Sequence, residues 1–136
     1  MAFVEQALYL RPLGPRVASY DVLGDTCFDA PRARALAAAA DACWAAILAQ
    51  DLARFGAAVR AGFEAQVALL NEPLRGSSTS LSPHMVTPDI LAAIDQYRDR
   101  CLGCKLSGAG GGGYLILVSD RPIEHAVRIT VRTPLS

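Results

Sequence analysis

Charge is what this sequence has least of. Lys, Arg, Asp and Glu make up 19% of 136 residues, and 13 basic side chains cancel 13 acidic ones. The arginines are scattered along the chain, so the basic stripe that follows a nucleic-acid backbone is missing and DNA and RNA are excluded as main partners. Long apolar runs are missing too. None reaches the roughly 18 residues that cross a bilayer, and no basic flank with an apolar signal region opens the chain, so a cytoplasmic protein without a membrane partner is expected.

Metal and acid–base chemistry are equally short of material. The two histidines, His84 and His125, stand far apart, and each reads as a loop or surface residue. Of the four cysteines, Cys101 and Cys104 form a CxxC, but a zinc site needs about four ligands and no second CxxC or closely spaced histidine pair supplies them. Cys27 and Cys43 lie in or beside apolar segments, and nothing suggests secretion, so free thiols and no metal are expected. No nucleophile stands out. Asp89 reads as a helix-start acid.

Apolar residues are plentiful. At 52% of the chain they suffice for a core, and the length fits a single domain over residues 1–136. The run Ala7-Leu8-Tyr9-Leu10 predicts a strand within residues 5–10, broken by Pro12, Gly14 and Pro15, and a short strand is expected over 16–22. From Pro31 to Gln50, Leu36, Ala40, Cys43, Trp44, Ile47 and Leu48 share one helical face that must pack on something apolar. A second helix from about Asp51 repeats the period with Leu52, Phe55, Val59, Phe63, Val67 and Leu70, turning Arg54, Arg60 and Glu64 away. Residues 71–83, rich in Pro, Gly, Ser and Thr, read as a long loop, and Ser77-Ser78-Thr79-Ser80 lacks the glycines of a phosphate cradle. Thr87-Pro88-Asp89 opens a third helix running to about Arg100. Tyr114–Val118 reads as a buried central strand with Tyr114 in the core, and Val127, Ile129 and Val131 alternate with polar residues as a half-wet strand. Helices bunched before the last strands predict an α+β domain with an antiparallel sheet.

The most informative segment is Gly103-Cys104-Lys105-Leu106-Ser107-Gly108-Ala109-Gly110-Gly111-Gly112-Gly113. So many glycines cost backbone entropy, and in return permit positive φ and close backbone approach. Gly108, Gly110 and Gly113 satisfy GxGxxG literally. A dinucleotide fold, however, needs a strand before the glycines and a helix after them, and here a helix precedes and a strand follows. No Lys-Ser/Thr closes the run as in a Walker A loop, and protein-kinase motifs are absent. Lys105, the single lysine, suits either phosphate neutralisation or a solvated surface. Ser107 suits either a ligand contact or a local turn.

This segment resembles the third signature motif of the GHMP kinases: Gly, a small residue, Lys, any residue, Ser or Thr, then GAGGGG. Cys104 departs from the usual alanine or glycine. Met85-Val86-Thr87-Pro88-Asp89-Ile90, Cys43-Trp44 and Phe63-Glu64-Ala65-Gln66 are similar to the sugar-kinase branch, which holds heptose-phosphate kinases and fucokinase-like enzymes. The resemblance covers most of the chain. It implies a ferredoxin-like C-terminal GHMP kinase domain in which Gly108, Ala109, Gly110, Gly111 and Gly112 line the cleft where substrate meets the γ-phosphate, with Lys105 and Ser107 on its edge. It further implies ATP and Mg2+ for the complete enzyme, a sugar or sugar phosphate as substrate, and an N-terminal kinase domain carrying the phosphate loop and the catalytic acid. This chain has no counterpart of that domain. The expectation is therefore a kinase part with no catalytic residue of its own, no tight ATP or Mg2+ binding alone, and an N-terminal partner in cis or in trans. Two other readings stand beside it, a non-catalytic sugar- or nucleotide-binding module and a structural domain that forms a homodimer through close glycine packing.

Overall fold

A computed structural model describes residues 2–15, 30–70, 88–108 and 112–132. Helix α1 (Ala2–Ala7) leads into strand β1 (Leu8–Pro12), then come α2 (Ala30–Ala49), α3 (Leu52–Leu70), α4 (Pro88–Tyr97), β2 (Gly103–Leu106), β3 (Tyr114–Val118) and β4 (Val127–Arg128). The four strands form one antiparallel sheet in the order β2-β3-β1-β4. The expected α+β class with an antiparallel sheet packed by helices is therefore observed. The strand order is that of a ferredoxin-like sheet, although residues 119–126 join β3 to β4 without a helix.

Alternation along the strands sorts the core. Tyr9, Cys104, Leu106, Leu115 and Leu117 cluster with Ile90, Ile94 and Tyr97 of α4. Their neighbours Leu8 and Val118 cluster instead with Phe3, Cys43, Ala46, Phe55 and Val59 from α1, α2 and α3. Successive strand side chains point to opposite faces, so β3 is apolar on both and holds the two clusters together. The sequence expectation of a buried central strand is met at Leu115, Leu117 and Val118.

The helical hairpin is closed by local chemistry. Gln50 adopts φ 53°, the left-handed conformation that ends many helices, while the Asp51 carboxylate accepts from the Arg54 N–H at 3.1 Å and caps α3. Phe55 and Val59 face inward, and Arg54, Arg60 and Glu64 outward, as their spacing predicts.

Several expectations are corrected. The first strand is shifted to 8–12, because Ala2–Ala7 is helical. The third helix ends at Tyr97, and residues 98–100 form a turn. Gly103–Leu106, taken from the sequence only as part of the glycine-rich segment between a helix and a strand, is itself a strand whose hydrogen bonds to β3 outweigh its poor strand propensity. The last strand keeps only Val127 and Arg128. Tyr114 is 48% exposed at the start of β3, and Trp44 and Leu48 are 62% and 68% exposed on α2; of the face expected there, Cys43 and Ile47 do pack, joined by Ala39 and Ala46. The strand expected over 16–22 and the loop over 71–83 lie outside the described residues.

Candidate functional site

The glycine-rich segment is the connection of a β-hairpin. Its arms are β2 and β3, paired Gly103 with Val118, Cys104 with Leu117, Lys105 with Ile116 and Leu106 with Leu115. The Ser107 N–H extends the ladder by donating to the Tyr114 carbonyl at 2.9 Å. Gly108 then turns at φ 65°, and on the return Gly113 takes φ 86°. These are left-handed conformations that cost an L-residue with a Cβ roughly 1–2 kcal/mol, which is a local reason for glycine at both ends of the turn.

Both ends are also tied to other elements. The Gln66 side chain on α3 donates from Nε2 to the Gly108 carbonyl at 2.7 Å, across 42 residues of sequence. Its Oε1 is buried with no hydrogen-bond partner among the described residues. On the far side, Gly113 donates to the Gly14 carbonyl at 3.0 Å and accepts from the Leu13 N–H at 2.7 Å. The turn is thus clamped between α3 and the end of β1.

Gly103 has a different role. It faces Gly56 of α3 so closely that a Cβ on Gly103 would overlap the Gly56 carbonyl oxygen, and a Cβ on Gly56 would come within 2.6 Å of the Leu102 Cβ. The first glycine of the motif therefore lets α3 pack on the edge strand. Arg60 of the same helix reinforces this contact by donating from Nη2 to the Leu102 carbonyl at 3.3 Å.

Of the sequence-expected site residues, Lys105 is half-buried in β2, two positions along the strand from Gly103 and so on the same face, toward the helical hairpin. Its charge reaches Cys43 of α2, where it partly offsets the burial that raises that thiol's pKa. Ser107 is half-buried, Gly108 exposed and Gly112 buried at the turn. Ala109, Gly110 and Gly111 lie outside the described residues. Lys105, Ser107, Gly108 and Gly112 are thus gathered on one hairpin. His125 is exposed beside Glu124, 3.5 Å away, and Asp89 sits exposed in the first turn of α4. Both match the roles read from sequence. His84 lies outside the described residues.

Gln66 was visible in the sequence only as the last residue of Phe63-Glu64-Ala65-Gln66. No periodicity marks a helix residue as the anchor of a turn 42 positions away. For a phosphate, this hairpin offers one ammonium, one hydroxyl and glycine backbone. Among the described residues, no group of three or more His, Cys, Asp or Glu could hold a metal ion, so the described residues do not make up a metal site by themselves. Among the same residues no helix is long and apolar enough to cross a membrane.

No family model matches the chain. Over 42 residues, 31% of its length, it is 55% identical to an L-fucokinase/L-fucose-1-P guanylyltransferase from Bacteroides fragilis. The matched stretch spans only 4% of that much longer protein. What the match supports is a relationship to sugar-kinase sequence, carried by a minor part of both chains.

Proposed function

We propose that this chain is the C-terminal part of an ATP-dependent sugar or sugar-phosphate kinase of the GHMP type. The hairpin turn at Gly108–Gly112 supplies the wall of the active-site cleft, with Lys105 and Ser107 at its edge. The observation that carries the reading is the 55% identity to a fucokinase-containing protein, together with the match of residues 103–113 to the GHMP motif. The clamping of the turn by Gln66 and Gly14 supports it, because a cleft wall must hold its backbone donors in place before substrate arrives.

On this reading the nucleotide, its Mg2+ and the catalytic acid are held by an N-terminal kinase domain, joined in cis or in trans. Phosphoryl transfer needs a phosphate cradle, a metal and an orienting acid acting together, so this chain alone transfers no phosphate. The test is calorimetry with Mg-ATP, followed by a panel of fucose, heptose phosphates and other sugars, alongside a coupled assay of ATP consumption. The expected result is neither turnover nor tight binding. Turnover would sink the assignment of chemistry to another domain, and tight sugar binding without turnover would favour the binding-module reading.

A further inference from the structure

Cys101 and Cys104 are not used by the kinase reading, yet the fold holds them as a pair. Cys101 lies in the bend between α4 and β2, where its N–H donates to the Tyr97 carbonyl at 3.1 Å. Its half-buried side chain lines a cleft of about 370 Å³ together with Arg100, Asp120, Arg121 and Glu124. Cys104 stands behind it, 9% exposed, in the cluster beneath the sheet. The two thiols are hydrogen-bonded to each other, and Gly103 N–H also bonds to Cys101.

We propose that Cys101 and Cys104 form a thiol–disulfide exchange site for a zwitterionic low-molecular-weight disulfide of the glutathione class. Cys101 lines a cleft of ligand size, Cys104 stands beside it as a hydrogen-bond donor, and the cleft carries both signs, with Arg100 suited to a ligand carboxylate and Asp99 and Glu124 to its ammonium group.

The electrostatics divide the roles. The Cys101 thiol is lowered to about 7, first by the hydrogen bond from Cys104 and further by Gly103 N–H and the Arg60 guanidinium on α3, against the opposing effect of burial. Cys104 is pushed up by donating that hydrogen bond, by burial and by the charge on Cys101, with Arg60 and Arg98 opposing. Asp99, Asp120 and Glu124 also line the cleft, and Asp120 pairs with Arg121 at 3.3 Å. A thiol that ionises near neutral pH is well placed for exchange, since a lower pKa would forfeit nucleophilicity and a higher one would leave little thiolate.

The Cys101 thiolate attacks one sulfur of the small disulfide, forming a mixed disulfide and expelling the first small thiolate, which takes a proton from solvent. Capping Cys101 removes both its charge and its acceptance of the Cys104 hydrogen bond, two of the three causes that hold Cys104 protonated. Cys104 then loses its proton to solvent and attacks the Cys101 sulfur, expelling the second small thiolate, which is protonated in turn. The protein dithiol is oxidised to a disulfide and the small disulfide is reduced to two thiols.

The test is to incubate the reduced, desalted chain anaerobically with glutathione disulfide, quench with acid, and read intact mass and peptide maps. Wild type should lose two hydrogens through a Cys101–Cys104 link and release two glutathione molecules. Cys104→Ser and Cys104→Ala should each stop at one glutathionyl group on Cys101, and Cys101→Ser should leave Cys104 unmodified. Iodoacetamide labelling of native Cys101 should rise with a midpoint near pH 7. Modification at Cys27 or Cys43 with the pair left reduced would overturn the proposal. So would a pair that reacts no faster in the native chain than in denaturant, a comparison that needs no variant.

Discussion

At the scale of single residues, glycines that look alike in the sequence have separate physical roles. Gly103 sits against the Gly56 carbonyl, whereas a Cβ added to Gly14 would meet nothing within 4 Å. Gly103→Ala is therefore expected to cost about 1–3 kcal/mol through overpacking, and Gly14→Ala to change stability little. Urea unfolding of the two variants checks the contrast. Gln66→Ala removes the bond to Gly108, for an expected loss of about 1 kcal/mol. Faster hydrogen exchange of the Ser107 amide, read by NMR, would show the turn loosened. Both positions were only partly legible beforehand. A run of glycines announces backbone freedom, but which glycine turns the chain and which makes room for a helix depends on what lies opposite.

Among the elements, α2 departs furthest from its pattern. Its apolar residues recur at helical spacing, and the helix forms where expected. The packed side, however, is Ala39, Cys43, Ala46 and Ile47, leaving Trp44 and Leu48 outward. A small-residue face lets α2 lie close to α3, and close backbone approach gains more packing than a bulky face held at a distance. Trp44, the only tryptophan, should accordingly emit as a solvated indole and be readily quenched by acrylamide. A blue-shifted, protected emission would show that this face is covered. The hairpin of β2 and β3 escaped the sequence for a related reason: Gly103-Cys104-Lys105-Leu106 has no strand signature, and becomes a strand because β3 offers an edge to pair with.

For the whole molecule, the decisive feature is that β3 carries both apolar clusters, Leu117 on one face and Val118 on the other. Leu117→Ala should thus destabilise the entire domain by about 2–5 kcal/mol. Far-UV circular dichroism and the near-UV signal of buried Tyr97 should then report one coincident unfolding transition in wild type and variant alike. Separate transitions would mean that the helical hairpin and the α4 side fold independently. What the residues determined by themselves was whatever depends on local spacing: the α+β class, the existence of the two long helices, the helix opening at Pro88, the apolar strand at 114–118 and the glycine-rich segment as the place to look for a site. What only the tertiary structure decided was whatever depends on long-range partners. The β2 strand, the Gly103–Gly56 contact, the Gln66 anchor, the outward turn of Trp44 and the pairing of Cys101 with a buried Cys104 all arise there. Each needs a group brought close in space, by the folded chain or by the path of a turn, and such proximity leaves no period in a linear sequence.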